Sequence, residues 1–232
     1  MKKLGIIGAM DIEVATLKEK MEDKAVRTVA GSQYCEGKLE GMDVVVVQCG
    51  VGKVNAALCA QILCDVFGVT HIVNTGIAGS LNAKLDIGDL VISSDAIYHD
   101  VDATNFGYPM CQVPGMSVLS FPADEQLVQA AFAVADGVHP GHVCIGRVAT
   151  GDQFVADKVL KEKIIENTAA YCTEMEGAAI AHTAWKNDVP FVIIRAISDK
   201  ADDSAEMDYP TFEKQAAQRC ALVTQTLAKH LA

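Results

Sequence analysis

Apolar residues along this chain come in short runs, each closed by small or acidic residues, and the runs alternate with stretches of helical spacing. Leu4–Gly8 (LGIIG), Asp43–Cys49 (DVVVVQC), Thr70–Asn74, Asp89–Ala96, Gly141–Thr150, Ala169–Cys172 and the run from Phe191 read as strands. Continuous β-branched runs of this kind suit a parallel sheet buried on both faces. Helical spacing covers Ile12–Met21, Val54–Phe67, Asp124–Ala135, Asp157–Glu166, Gly177–Trp185 and Pro210–Leu231. Between Val26 and Val47 the pattern alternates, with turns at Glu36–Lys38 and Glu40–Asp43, and predicts a meander. Thr75–Ser80 (TGIAGS) reads as a small-residue turn that lets backbone approach a ligand. Strands alternating with helices, plus the meander, predict one layered α/β domain over residues 1–232 with a mixed sheet. No internal repeat, linker or low-complexity segment interrupts it.

The informative positions are those where polar residues break this pattern. Arg195 lies inside the buried run FVIIRAISD, where a charge is costly unless it is paired or faces a polar site. The run ends in Ser198 and Asp199, and ligands of parallel sheets collect at the carboxyl ends of strands. Glu13 and Glu176 also follow strands directly. Each acid has a structural alternative. Asp199 can cap a following turn. Glu13 sits in a first helical turn that Asp11 would cap, where the helix dipole favours a carboxylate. Thr173 with Glu176 fits a capping box. The long loop His99–Phe121 holds Phe106 and Tyr108, aromatic residues suited to contact with a ligand or a second chain.

Composition narrows the function. Half of the 232 residues are hydrophobic, so the core is large, and the net charge of −11 leaves no basic stripe for nucleic acid and no polybasic membrane contact. It does not exclude a nucleoside, which carries no phosphate. The eight cysteines form no C-x-x-C pair, so a zinc site or redox motif is not indicated. The first strand begins almost at Met1 and is too short for a signal or a membrane span. These features read as a reduced, cytoplasmic protein.

The chemistry follows from what the turns offer. Gly50-Val-Gly52-Lys53 lacks the spacing of a phosphate-binding loop, and no G-x-G-x-x-G follows the first strand. No serine or cysteine sits beside a histidine in such a turn, and no metal-type cluster or cofactor motif is present. Carboxylates alone suit acid–base hydrolysis of a C–N or C–O bond to a sugar, which breaks through an oxocarbenium-like state. One acid activates water, a protonated one assists the leaving group, and a third holds the sugar hydroxyls.

The segments GIIGAMDIEVATL, VVVVQCGVGKVNAA, NTGIAGSL, GDLVIS, HDVDATNFGY, ATGDQF, EMEGAAIAH and IIRAISDKAD together resemble those of the 5′-methylthioadenosine/S-adenosylhomocysteine nucleosidases, within the purine nucleoside phosphorylase superfamily. The resemblance implies a three-layer α/β/α sandwich around a mixed, twisted central sheet. It implies hydrolysis of the adenine–ribose bond of 5′-thio-substituted adenosines, and of 5′-deoxyadenosine in some members, in methionine salvage and methyl-cycle recycling. No cofactor or metal is implied. Glu13 would activate water, with Arg195 paired to that site. Asp199 would donate to the purine N7, with Ser198 placing its loop. Glu176 would bind ribose hydroxyls beside Met175. Phe154 would stack on adenine and the backbone of Val155 would read its edge, while Ala78 and Gly79 approach the ligand. Met10, Val51 and Tyr209 would line the sugar and alkylthio side. The family's homodimers pass the 99–121 loop into the neighbour's pocket, here through Ala103, Phe106, Tyr108 and Pro114. Ile77 stands where some relatives have a serine that holds the water.

Two rivals are open at this stage. A phosphorolytic nucleoside phosphorylase needs cationic or backbone donors for its phosphate, and the first turn, GAMDIEVA, offers an acid instead. A nucleoside-binding sensor without catalysis would not need Glu13, Glu176 and Asp199 together.

Overall fold

The computed structural model describes residues 2–202 and 205–232, with 206 and 207 in backbone only. In chain order the elements are β1 (Leu4–Gly8), α1 (Asp11–Lys20), β2 (Glu22–Val29), β3 (Ser32–Leu39), β4 (Met42–Gln48), α2 (Lys53–Asp65), β5 (His71–Ser80), β6 (Leu90–Tyr98), β7 (Phe121–Pro122), α3 (Glu125–Val138), β8 (Val143–Thr150), α4 (Lys158–Thr168), β9 (Cys172–Glu174), α5 (Gly177–Lys186), β10 (Phe191–Asp199) and α6 (Ala205–Leu231). The ten strands among the described residues belong to one mixed sheet.

β1 lies between β4 and β5, parallel to both, and β10 is parallel to β5 on its other side. β10 also pairs antiparallel with β6, β6 runs parallel to β8 and β8 parallel to β9, and β9 returns antiparallel to β5. Half of the sheet therefore closes into a ring, while β4, β3 and β2 extend it as an open meander. Alternate side chains of the central strands enter two cores. Ile7, Val45 and Val47 pack toward α2 and α5; Leu4, Ile6, Val44 and Val46 pack toward α1, α3 and α6. This is the three-layer α/β/α arrangement, and it explains the continuous apolar runs, since both faces of each central strand are covered. Each large aliphatic side chain so buried contributes roughly 1.5–3 kcal/mol.

The structure differs from the sequence pattern in local ways. Thr75–Ser80 is no turn: it is the second half of β5, extended and paired with both β10 and β9. Glu36–Lys38 lies inside β3, and the first meander turn falls at Ala30-Gly31, where both residues take positive φ. The N-cap of α1 is Met10 rather than Asp11. α6 begins before Pro210, which lies inside it. Asp124 and Asp157 do cap α3 and α4, each accepting from a backbone N–H. No helix among the described residues is long and apolar enough to cross a membrane.

Candidate active site

Because β1, β5 and β10 are adjacent and parallel, their carboxyl ends open at one edge of the sheet. A cleft partly open to solvent lies there. Glu13, Glu176, Ser198 and Asp199 line its floor, and the backbone edge of Ala78 and Gly79 forms one side. Met10, Val51, Phe154, Val155, Met175 and Tyr209 make its walls. Its composition is that of a small-molecule site: apolar walls with a few convergent polar groups.

Glu13 is the third residue of α1, and its carboxylate turns back onto the turn that follows β1. Oε2 accepts from the amides of Ala9 at 2.7 Å and Met10 at 2.9 Å; Oε1 accepts from Ile77 N at 3.1 Å. It satisfies helix-entry amides, as its position in the first turn predicts, yet it also faces the cleft. Burial raises its pKa, while Arg195 and the three amides oppose the rise. Gly76 makes this approach possible, since a Cβ there would collide with Glu13 Oε1 and lie 2.8 Å from Arg195 Nη1.

Asp199 ends β10. A register shift between Ile197 and Asp199 sets Asp199, not Ser198, opposite Gly79, as bulges do where a side chain must be re-aimed. Its Oδ2 accepts from Ser198 Oγ and its Oδ1 from Ala201 N, both at 2.8 Å. Burial raises this pKa against those two bonds, and the neighbouring Asp208 and Asp202 raise it further.

Glu176 is the N-cap of α5 without making a side-chain cap. Its Oε1 instead accepts from Gly52 N across the cleft at 2.8 Å. Burial, with the negative charge of Glu174 next in importance, lifts its pKa to about 7. Glu174 performs the capping that the sequence assigned to Thr173 and Glu176. Its Oε2 accepts from Gly177 N at 2.7 Å and Glu176 N at 3.3 Å. The same carboxylate is ion-paired to Arg195 Nη2 and accepts from Thr150 Oγ1. Arg195, only 2% exposed, also donates to Asn74 Oδ1 at 2.5 Å. Thus the one cation beneath the floor is already neutralised.

The comparisons with known proteins agree with this geometry. A model of the phosphorylase superfamily matches residues 3–229. A 5′-methylthioadenosine/S-adenosylhomocysteine nucleosidase of Anoxybacillus flavithermus is 40% identical over 229 residues, covering 98% of each chain. The solved structure of a nucleosidase of that name from Colwellia psychrerythraea, in complex with adenine, superposes with a TM-score of 0.95 at 40% identity, covering 99% of this chain and 96% of that one. This chain belongs to the methylthioadenosine/S-adenosylhomocysteine nucleosidase family. A related branch is also close: Helicobacter pylori futalosine hydrolase superposes with a TM-score of 0.94 at 32% identity over 99% of this chain and 98% of its own.

Among the residues that the nucleosidase resemblance singled out, Arg195 and the loop residues Ala103, Phe106, Tyr108 and Pro114 lie outside the cleft of this chain. Arg195 is beneath the floor, and its ion pair is with Glu174 rather than with Glu13, which it influences only through space. The reason is topological: β9 curls back so that Thr173 pairs with Gly79, which brings the next residue over the guanidinium. Phe106, 85% exposed, and Tyr108 do not line the cavity. Ile77 lines it and contributes its backbone N–H to Glu13.

The sequence reading missed Ala9, Gln153, Thr173 and Glu174 in the lining. Glu174 had a usable signal, because a buried arginine requires a buried acid and few acids follow strands directly. Thr173 Oγ1 is buried with no hydrogen-bond partner, leaving a hydroxyl available at the cleft wall. Away from the cleft, the ligand atoms of Asp89, His139 and His142 lie within 4.8 Å of one another. Asp89 Oδ1 is 2.8 Å from His142 Nδ1 and Oδ2 accepts from Asp86 N, so Asp89 links the turns before β6 and β8.

Proposed function

We infer that this chain hydrolyses the N-glycosidic bond of 5′-methylthioadenosine and S-adenosylhomocysteine, releasing adenine and the 5-thio-substituted ribose. The observation that carries the reading is a cleft lined, among the described residues, by four buried carboxylates and no lysine, arginine or histidine. A phosphate dianion would be repelled there, whereas a sugar passing through a cationic transition state would be stabilised. That favours hydrolysis over phosphorolysis.

Glu13 is the base. Its Oε1 takes a single backbone N–H, which leaves a lone pair for the attacking water; Oε2 takes two and serves as anchor. Water gives one proton to Glu13 as its oxygen bonds C1′, and Asp199 gives one to the purine N7 as the C–N bond breaks. The two acids need opposite protonation states. Burial raises both pKa values, but the charge of Arg195 opposes the rise at Glu13, whereas neighbouring acids add to it at Asp199. Ser198 holds Asp199, Glu176 accepts from the ribose hydroxyls beside Met175, and Arg195 tethers Glu174 under the water site. Phe154 stacks on adenine, the backbone of Val155 reads its edge, and Ala78 with Gly79 lets the ligand approach. Met10, Val51 and Tyr209 receive the 5′ substituent, and Met10 Sδ already accepts from Tyr209 Oη at 3.3 Å.

The active form is a homodimer. Supporting this, α2 presents Val54 and Leu58, one turn apart, to solvent, with Val51 just before them, and Phe106 stands fully out on its loop. Phe106 and Tyr108 then complete the partner's pocket. Single-domain organisation is supported by the one sheet that the described strands form. Eight free cysteines, six of them buried, suit a reducing, cytoplasmic setting.

The test is adenine release from methylthioadenosine in phosphate-free buffer. Turnover without phosphate is the expected result; strict dependence on phosphate would reject hydrolysis, and no release at all would favour a binding protein. Rates on methylthioadenosine, S-adenosylhomocysteine, 5′-deoxyadenosine and an aminofutalosine-type nucleoside rank the substrates.

A further inference from the structure

α2 begins with an unmet need. Its N-cap, Gly52, has φ 98° and no side chain, and no acid lies in the helix's first turn. The free amides of a helix start require outside acceptors. Asp152, from the loop after β8, supplies one: its Oδ1 accepts from Lys53 N at 2.9 Å. A Cβ on Gly52 would lie 3.1 Å from that oxygen, so both its φ and its neighbour call for glycine. The Lys53 ammonium then bonds Asp100 Oδ2 at 2.6 Å and lies 3.7 Å from Asp152 Oδ2. Asp100 Oδ2 also accepts from Asp152 N at 3.1 Å. Three loops distant in sequence are closed into one triangle.

Two corners of the triangle adjoin the cleft. Gly52, beside Lys53, donates to Glu176 Oε1. Phe154 and Val155 follow Asp152 by two and three residues and line the cleft. We propose that Lys53, Asp100 and Asp152 form a clamp that holds the ribose-binding carboxylate and the adenine wall in mutual register, making Lys53 and Asp152 positioning residues for the hydrolysis. The proposal rests on the roles given above to Glu176 and Phe154. Exposed ion pairs contribute little to stability, and this triangle matters by geometry instead. An error of about 1 Å in a substrate-holding group is enough to cost a large factor in rate.

The experiment compares K53M, K53R and D152N with the wild type, and K38M serves as control because Lys38 pairs with Asp43 on the exposed meander. K53M should raise KM for methylthioadenosine about tenfold and lower kcat less than about threefold, the signature of lost binding geometry. Its acid limb of kcat/KM should move to higher pH, because Glu176 loses the Gly52 N–H that favours its anion. K53R should recover part of both changes. Unchanged KM and pH profile in a folded K53M, or equal changes in K38M, would overturn the clamp. Should K53M not fold, D152N decides on the same two readouts. If the wild type releases no adenine, the hydrolase reading fails separately. Adenine titrated by calorimetry then decides the clamp: weaker binding to K53M supports it and equal binding overturns it.

Discussion

The floor and the rim of the cleft are built on opposite terms. On and beneath the floor, Glu13, Glu174, Arg195 and Asp199 lie within strands or in the first turn after one, are buried, and have most of their polar atoms bonded to backbone or to one another. On the rim, Val51 and Phe154 are each 49% exposed and sit on loops, and Phe154 meets Tyr209 edge-on at 5.5 Å. The floor spends folding energy on holding charge in fixed places, which is what transition-state stabilisation needs. The rim leaves apolar surface open for a ligand to cover. Substitutions on the floor should therefore fall on kcat, and those on the rim on KM.

The largest effect should come from Asp199→Asn. Asparagine keeps the shape and can still meet Ser198 and Ala201, but it has no acidic proton for the purine. Loss of one positioned acid costs typically 10²–10⁴-fold, so kcat for adenine release should fall by about 10³, with methylthioadenosine still bound. Wild-type turnover in this variant would remove Asp199 from the chemistry and erase the contrast between floor and rim. Glu13→Gln should lose hydrolysis similarly while melting near the wild type. If activity falls only as far as stability does, Glu13 is a helix-entry residue alone.

Glu174→Ala tests whether the floor is one electrostatic unit. It leaves Arg195 buried without its partner and frees the amides of Glu176 and Gly177. Breaking a buried pair from one side costs about 3–5 kcal/mol, which thermal unfolding should register as a drop of roughly 10 °C. A drop of a degree or two would mean that water or Asn74 already supports the guanidinium.

How far the sequence reaches follows the same division. The strand ends that carry Glu13, Glu176 and Asp199 are legible, because apolar runs terminate there and parallel order brings their ends together. The pairing beneath them is not. Arg195 announces a buried partner but not its identity, and Glu13 is the natural choice until β9 is seen to fold back against β5. Ring closure of the sheet sets that contact, and strand lengths alone do not encode it. The same closure turns Thr75–Ser80 from an apparent loop into paired strand: its small residues admit Glu13 and Asp199 against the backbone, a packing need that looks like turn chemistry in one dimension. Glu176 misleads in the opposite way. Its spacing from Thr173 fits a capping box, yet Glu174 takes the helix amides and releases Glu176 to the cleft.

On the rim, Phe154→Ala removes the stacking face while leaving every floor residue in place. Base–aromatic stacking contributes about 1–3 kcal/mol by alanine substitution, so KM should rise roughly tenfold to thirtyfold with kcat within about threefold. A kcat loss as large as that of Asp199→Asn would mean that the rim organises the chemistry and that the division is false.

The smallest effect sharpens the comparison most, because Glu176 belongs to both regions: its carboxylate is buried, but its hydrogen bond crosses to the rim. Its folded pKa of about 7 stands above the ordinary 4.5. A carboxyl group with a raised folded pKa favours the folded state fully only below its unfolded pKa, and that stability is lost as pH rises through the folded value. Above pH 7 the ionised Glu176 therefore strains the fold, chiefly through burial and then through Glu174. Glu176→Gln keeps the Gly52 bond and removes the charge, so at pH 8 it should melt a few degrees above the wild type, about 1–2 kcal/mol, and at pH 4 the two should coincide. Adenine release should meanwhile fall, since the neutral amide is a poorer acceptor for ribose hydroxyls. A variant that is less stable at pH 8 would show that the charge of Glu176 is supported by the cleft as Glu13 is by its amides, and Glu176 would then belong to the floor alone.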